Sequence, residues 1–155
     1  MEGIRILYPF LHLFLILACL IGYACFLEAK LDLDAQFGPI SAISFISVGL
    51  IFFGYMGLLF PGIYIMYIIG LGLFVFCLLA YPKIYKKNLY IYGLAGFVML
   101  VYTGLFLKSN VGDYDAFSHW GLAVRLMQTS RALPSAMDKC ISFSDYPLAM
   151  PIFCL

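Results

Sequence analysis

Residues Ile63 to Tyr81 read IYIMYIIGLGLFVFCLLAY, an apolar run with no Asp, Glu, Lys or Arg in it. A helix rises about 1.5 Å per residue, so about 20 such residues cross a hydrocarbon layer roughly 30 Å thick. The run therefore predicts a transmembrane helix, and the sequence on either side repeats the pattern. Upstream, Phe60-Pro61-Gly62 reads as a tight hairpin, because Pro lacks an N–H and Gly tolerates a left-handed turn. Before it lies Ile40 to Leu59, interrupted by nothing more polar than Ser and Gly, and earlier still Ile6 to Leu27. Downstream, the polar joint Pro82-Lys83-Ile84-Tyr85-Lys86-Lys87-Asn88 leads into Leu89 to Leu107. The expected fold class is all-α: a polytopic helical membrane protein with four transmembrane helices.

Composition supports this. The chain has 155 residues, 65% hydrophobic and 11% charged, against roughly 45–50% and 25% in an ordinary soluble domain. So few charges cannot supply the polar exterior of a water-soluble protein of this length. The formal net charge of +1 supplies no basic field, which argues against nucleic acid as a partner. The first run, preceded by Arg5, exceeds the roughly 7–15 apolar residues of a secretory signal and reads as an uncleaved anchor. Cys19, Cys25, Cys77, Cys140 and Cys154 show no paired spacing, so they read as packing residues and give no support for a disulfide framework or a zinc site.

Within the runs, Ala18 and Gly22 form a small-x-x-x-small step, and Gly49, Gly54, Gly57, Gly70, Gly72, Gly93 and Gly96 thin the helix surfaces. In lipid, small residues let helices approach closely. His12 is the one ionisable residue well inside a predicted span, a functional candidate that could equally snorkel to the interface. Counting all Lys and Arg leaves the orientation nearly tied. The density of Lys83, Lys86 and Lys87 in one short joint favours placing that joint in the cytoplasm, which puts residues 108–147 outside it.

That stretch is where chemistry is expected. Lys108-Ser109-Asn110-Val111-Gly112-Asp113-Tyr114-Asp115 reads as a turn ending in a helix-capping Asp. Phe117, Trp120, Val124 and Met127 then recur as a helical stripe, opposite Ser118, Arg125 and Gln128. The segment is too short and polar to span, and predicts an amphipathic helix at the membrane surface, ended by Leu133-Pro134-Ser135. Asp115 and His119, four apart, share a face at the N-terminal end, where unpaired N–H groups also gather. The pair fits either a helix cap or a site in which a carboxylate deprotonates a hydroxyl. Asp113 and Asp115, at D-x-D spacing, could also hold a divalent metal such as Mg or Mn.

The stretch Asp115-Ala116-Phe117-Ser118-His119-Trp120-Gly121, followed by Arg125, Leu133-Pro134 and Phe143-Ser144-Asp145-Tyr146-Pro147, resembles the first large loop of bacterial polytopic membrane proteins related to GT-C-type glycosyltransferases. The resemblance covers Asp115 to Pro147. It departs from the family pattern at Ala116, where a second acid often stands, and at Leu148, where a second Pro often follows. The resemblance implies a sugar donor linked to polyprenyl phosphate and an essential acid in the first extracytoplasmic loop. Asp115 would be that acid, as base or metal ligand, with Asp113 its second. His119 and Arg125 would neutralise the departing lipid phosphate, for which Arg is geometrically suited. Asp145 would position acceptor or metal, and Trp120 would stack on a sugar or, the better fit, anchor the helix at the interface.

The last apolar residues, Pro147 to Leu155, read as the first half of a fifth helix. The expected organisation is a four-span region over 1–107, an extracytoplasmic loop with an interfacial helix over 108–147, and the start of a truncated fifth span over 148–155. On this reading the chain is the N-terminal part of a GT-C-like enzyme of cell-surface glycan assembly, a multi-pass cell-membrane protein inactive as a fragment. The alternative is a small non-catalytic integral membrane protein or subunit. A transporter or channel is disfavoured, because the spans offer almost no polar lining.

Overall fold

The computed structural model describes residues 2–106 and 121–134, with side chains over 11–101 and 122–134. The described residues are helical throughout apart from short connections, and contain no strand. Six helices follow in order: α1 (Glu2–Leu31), α2 (Gly38–Tyr55), α3 (Leu59–Ala80), α4 (Pro82–Lys87), α5 (Leu89–Phe106) and α6 (Gly121–Ser130). Three stretches are long and apolar enough to cross a membrane: Leu11–Leu31, Ala35–Tyr55 and Leu59–Ala80. The apolar helix Leu89–Val101 is shorter. Many large apolar side chains on these helices are exposed, among them Phe14, Val48, Ile68, Leu79 and Phe97. That pattern suits lipid surroundings, where apolar surface needs no cover.

Three boundaries differ from the sequence reading, each for a local reason. The turn between α2 and α3 falls at Met56–Leu58 and not at Phe60-Pro61-Gly62. Gly57 takes a φ of +72°; its N–H bonds the Gly54 carbonyl at 3.0 Å and the Leu58 N–H bonds that of Phe53 at 2.8 Å. This is the Schellman ending that Gly favours. Pro61 sits in the first turn of α3, where its missing N–H would have had no intrahelical partner. The polar joint is also partly helical: Pro82–Lys87 forms α4, with Pro in its first turn and Lys86 and Lys87 in its last, where the helix dipole favours cations. α1 runs four residues past the expected end and stops where Asp32 adopts a φ of +52°.

The described residues fall into two compact units. The first comprises residues 2–43 and 67–106. In it α1 and α3 approach closely: a Cβ on Gly22 would lie 2.6 Å from the Phe74 backbone nitrogen, and one on Gly70 would strike Cys19 and Tyr23. The expected close packing at Ala18 and Gly22 is present, with Ala18 buried. Cys19, Cys25 and Cys77 are buried free thiols within this packing, and the Cys77 thiol lies 3.9 Å from the Gly22 carbonyl oxygen. The second unit comprises residues 44–66 and 121–134. In it a Cβ on Gly62 would fall 2.5 Å from that of Phe53, and one on Gly54 would fall 2.6 Å from Leu133. The Arg131 guanidinium stands 5.6 Å from the Phe60 ring centroid.

Candidate functional site

Asp113, Asp115, His119, Trp120 and Asp145 lie outside the described residues. Of the expected site residues, Arg125 is described, and it is exposed in the middle of α6. The second half of the amphipathic stripe is present in α6: Met127 is fully buried and Ala123 nearly so, while Arg125 and Gln128 are exposed. Phe117 and Ser118 are not among the described residues. α6 ends three residues before Leu133-Pro134, because Arg131 turns to a φ of +56°. Its N–H caps the Met127 carbonyl at 2.9 Å, and the Ser130 hydroxyl donates to the Leu126 carbonyl at 2.8 Å. His12 is exposed on α1. No group of three or more His, Cys, Asp or Glu residues that could hold a metal exists among the described residues.

The polar cluster that the structure does assemble is one the sequence did not announce. Because α1 continues through Glu28, that carboxyl is carried into the first unit and buried at 5% exposure, with Asn88 at 4% and Tyr92 at 2%. The Asn88 amide donates to Glu28 Oε2, and the Tyr92 hydroxyl donates to Oε1 at 3.2 Å. Asn88 and Tyr92 are four apart at the start of α5, so both side chains share the face turned to α1. Asn88 also has its backbone engaged: its N–H donates to Ile84 at 3.0 Å, and its carbonyl accepts from Ile91 at 3.0 Å and Tyr92 at 3.1 Å. It thus closes α4, opens α5 and ties both to α1. Gly38, the first residue of α2, lies against the Glu28 carboxyl so closely that a Cβ there would collide with Oε1.

Two donors meet two carboxyl oxygens, so this arrangement is a satisfied clamp between helices, with the Cys25 thiol beside Tyr92 and no metal-binding group among the described residues. A buried carboxyl of this kind is tolerated where its hydrogen-bond partners are fixed. The aromatic rings around it are packed edgewise or tilted: Tyr85 lies 6.0 Å from Tyr92, and Phe74 lies 6.3 Å from Tyr85. The sequence reading missed the cluster because the charges of Glu28 and Lys30 mark the end of an apolar run, whatever the helix itself does. The available signal was the Asn88/Tyr92 step at helical spacing, at the same end of the helices as Glu28.

The described residues thus form an all-helical fold with three helices long and apolar enough to cross a membrane. No protein-family model, curated protein or solved structure matches the chain.

Proposed function

We propose that the chain supplies the membrane helices and first large loop of a GT-C-like glycosyltransferase, which transfers a sugar from a polyprenyl-phosphate donor in cell-surface glycan assembly. In this reading α5 is the fourth span, α6 belongs to an interfacial helix in the extracytoplasmic loop, and the chain is a multi-pass protein of the cell membrane. The observation that carries the proposal is the order Asp115, Phe117-Ser118-His119-Trp120, Arg125 and Asp145-Tyr146-Pro147 directly after a series of apolar helices. Asp115 acts on the acceptor hydroxyl as general base or holds a divalent metal with Asp113. His119 and Arg125 face the departing phosphate, and Asp145 and Trp120 position the acceptor and the helix.

The test is Asp115→Asn at the chromosomal locus, with the surface glycan profile and membrane transfer from a labelled polyprenyl-phosphate sugar as readouts. Loss of transfer at an unchanged protein level is expected. Unchanged transfer in Asp115→Asn, together with reduced transfer on deletion of the chain, would replace the catalytic reading with that of a non-catalytic subunit.

A further inference from the structure

The first unit contains a cavity of about 220 Å³ between α1, α2 and α5, with an almost wholly apolar lining. Leu20 and Ala24 of α1, Pro39 and Ile43 of α2, and Tyr92 and Ala95 of α5 are among its walls. One end is fixed by the clamp: Tyr92 lines the cavity and also donates to Glu28. From Tyr92, one helical turn, about 6 Å, leads to Asn88, the residue that closes α4. α4 packs against both α1 and α5. It exposes Lys83, Lys86 and Lys87 and carries no acid, while Ile84 and Tyr85 are partly covered. Lys30, Asp32 and Asp34, on the end of α1 and its connection to α2, leave one negative charge at the same end, which the three lysines of α4 outweigh. The three lysines therefore give this end of the unit its positive charge, beside an apolar slot. Both donors of the clamp are committed to Glu28, so the lysines are the groups positioned to meet an external anion.

We infer that the cavity between α1, α2 and α5, together with the lysines of α4, binds one anionic glycerophospholipid, with an acyl chain in the slot and the phosphate on Lys83, Lys86 and Lys87. The inference rests on the membrane reading of the helices and is independent of the loop chemistry, since no residue of 108–147 takes part in it. Charge complementarity selects the occupant: a zwitterionic lipid fits the slot equally well but gains much less from three ammonium groups.

The experiment uses the full chain purified in detergent, with retained lipid counted by native mass spectrometry. Dioleoylphosphatidylglycerol and dioleoylphosphatidylcholine are offered at equal concentration. The phosphatidylglycerol is retained preferentially, and each Lys→Gln change on α4 lowers that preference about fivefold, whereas the triple Lys→Arg protein keeps it. Ala95→Phe fills the slot and releases both lipids. On the unaltered chain, raising salt from about 0.1 to 1 M weakens the preference, a readout that does not depend on any variant folding. Equal retention of the two lipids, a preference that survives the triple Gln change or high salt, or full retention by Ala95→Phe would each overturn the inference. Displacement by millimolar inorganic phosphate would also overturn it, since the site would then be one for free anions.

Discussion

Replacing Glu28 by Ala removes the acceptor of two interhelical hydrogen bonds in one step. The Asn88 amide and the Tyr92 hydroxyl stay behind, 4% and 2% exposed. A buried donor left without a partner costs about 1–3 kcal/mol. In a bilayer the cost falls toward the lower end, because the dissociated helices also find partners there and interhelical hydrogen bonds average about 0.6 kcal/mol. The expected loss for the two donors is about 2 kcal/mol, close to thirtyfold in the folded-to-unfolded ratio. Glu28→Gln keeps the shape and one carbonyl oxygen, but sets an N–H against the second donor, so it loses about half as much. Tyr92→Phe breaks the 3.2 Å bond alone and costs about 1 kcal/mol. In the double variant Glu28→Ala/Tyr92→Phe only the Asn88 amide is orphaned, so the loss is about 1 kcal/mol, smaller than the sum of the two single losses by about 2 kcal/mol. The assay is titration of the purified chain with SDS in mixed micelles, followed by circular dichroism. A Glu28→Ala protein within about 0.5 kcal/mol of the unaltered chain, or additive losses in the double variant, would refute the clamp.

Three further outcomes follow from the packing. Gly22→Ala places a methyl 2.6 Å from the Phe74 backbone nitrogen and is expected to destabilise by about 1–3 kcal/mol. Gly72→Ala meets open space and gains up to about 1 kcal/mol of helix propensity; the same SDS titration compares them, and equal effects would remove the α1–α3 contact from the account. At Gly57, with a φ of +72° and open space for a Cβ, Ala costs about 1–2 kcal/mol of backbone strain alone, and Asn costs less; a larger loss for Asn would contradict a purely conformational role. Met127→Ala empties a fully buried position on α6 and is expected to cost about 2–5 kcal/mol, seen as faster amide exchange across residues 121–130, while Gln128→Ala leaves that exchange unchanged.

These positions also separate what is local from what is not. The run Ile63–Tyr81 could be read as a helix because length and apolarity belong to consecutive residues, and α3 contains all of it but the last residue. The stripe through Val124 and Met127 was readable for the same reason, since period and face are properties of one segment. The turn was misplaced because Pro61 and Gly57 are each compatible with it in isolation. Pro is equally at home in a first helical turn, and the left-handed ending at Gly57 selects between them. The candidate loop acids were legible only as spacing and composition. The amino-acid sequence by itself determined a helical chain, its apolar spans, its small-residue steps and the charge of the joint at Lys83, Lys86 and Lys87. Only the tertiary structure decided that Glu28 meets Asn88 and Tyr92, 60 and 64 residues away, that Gly22 faces Gly70, and that a cavity remains between α1, α2 and α5. Those depend on which helix faces are brought together, and no period or propensity within a single segment encodes that pairing.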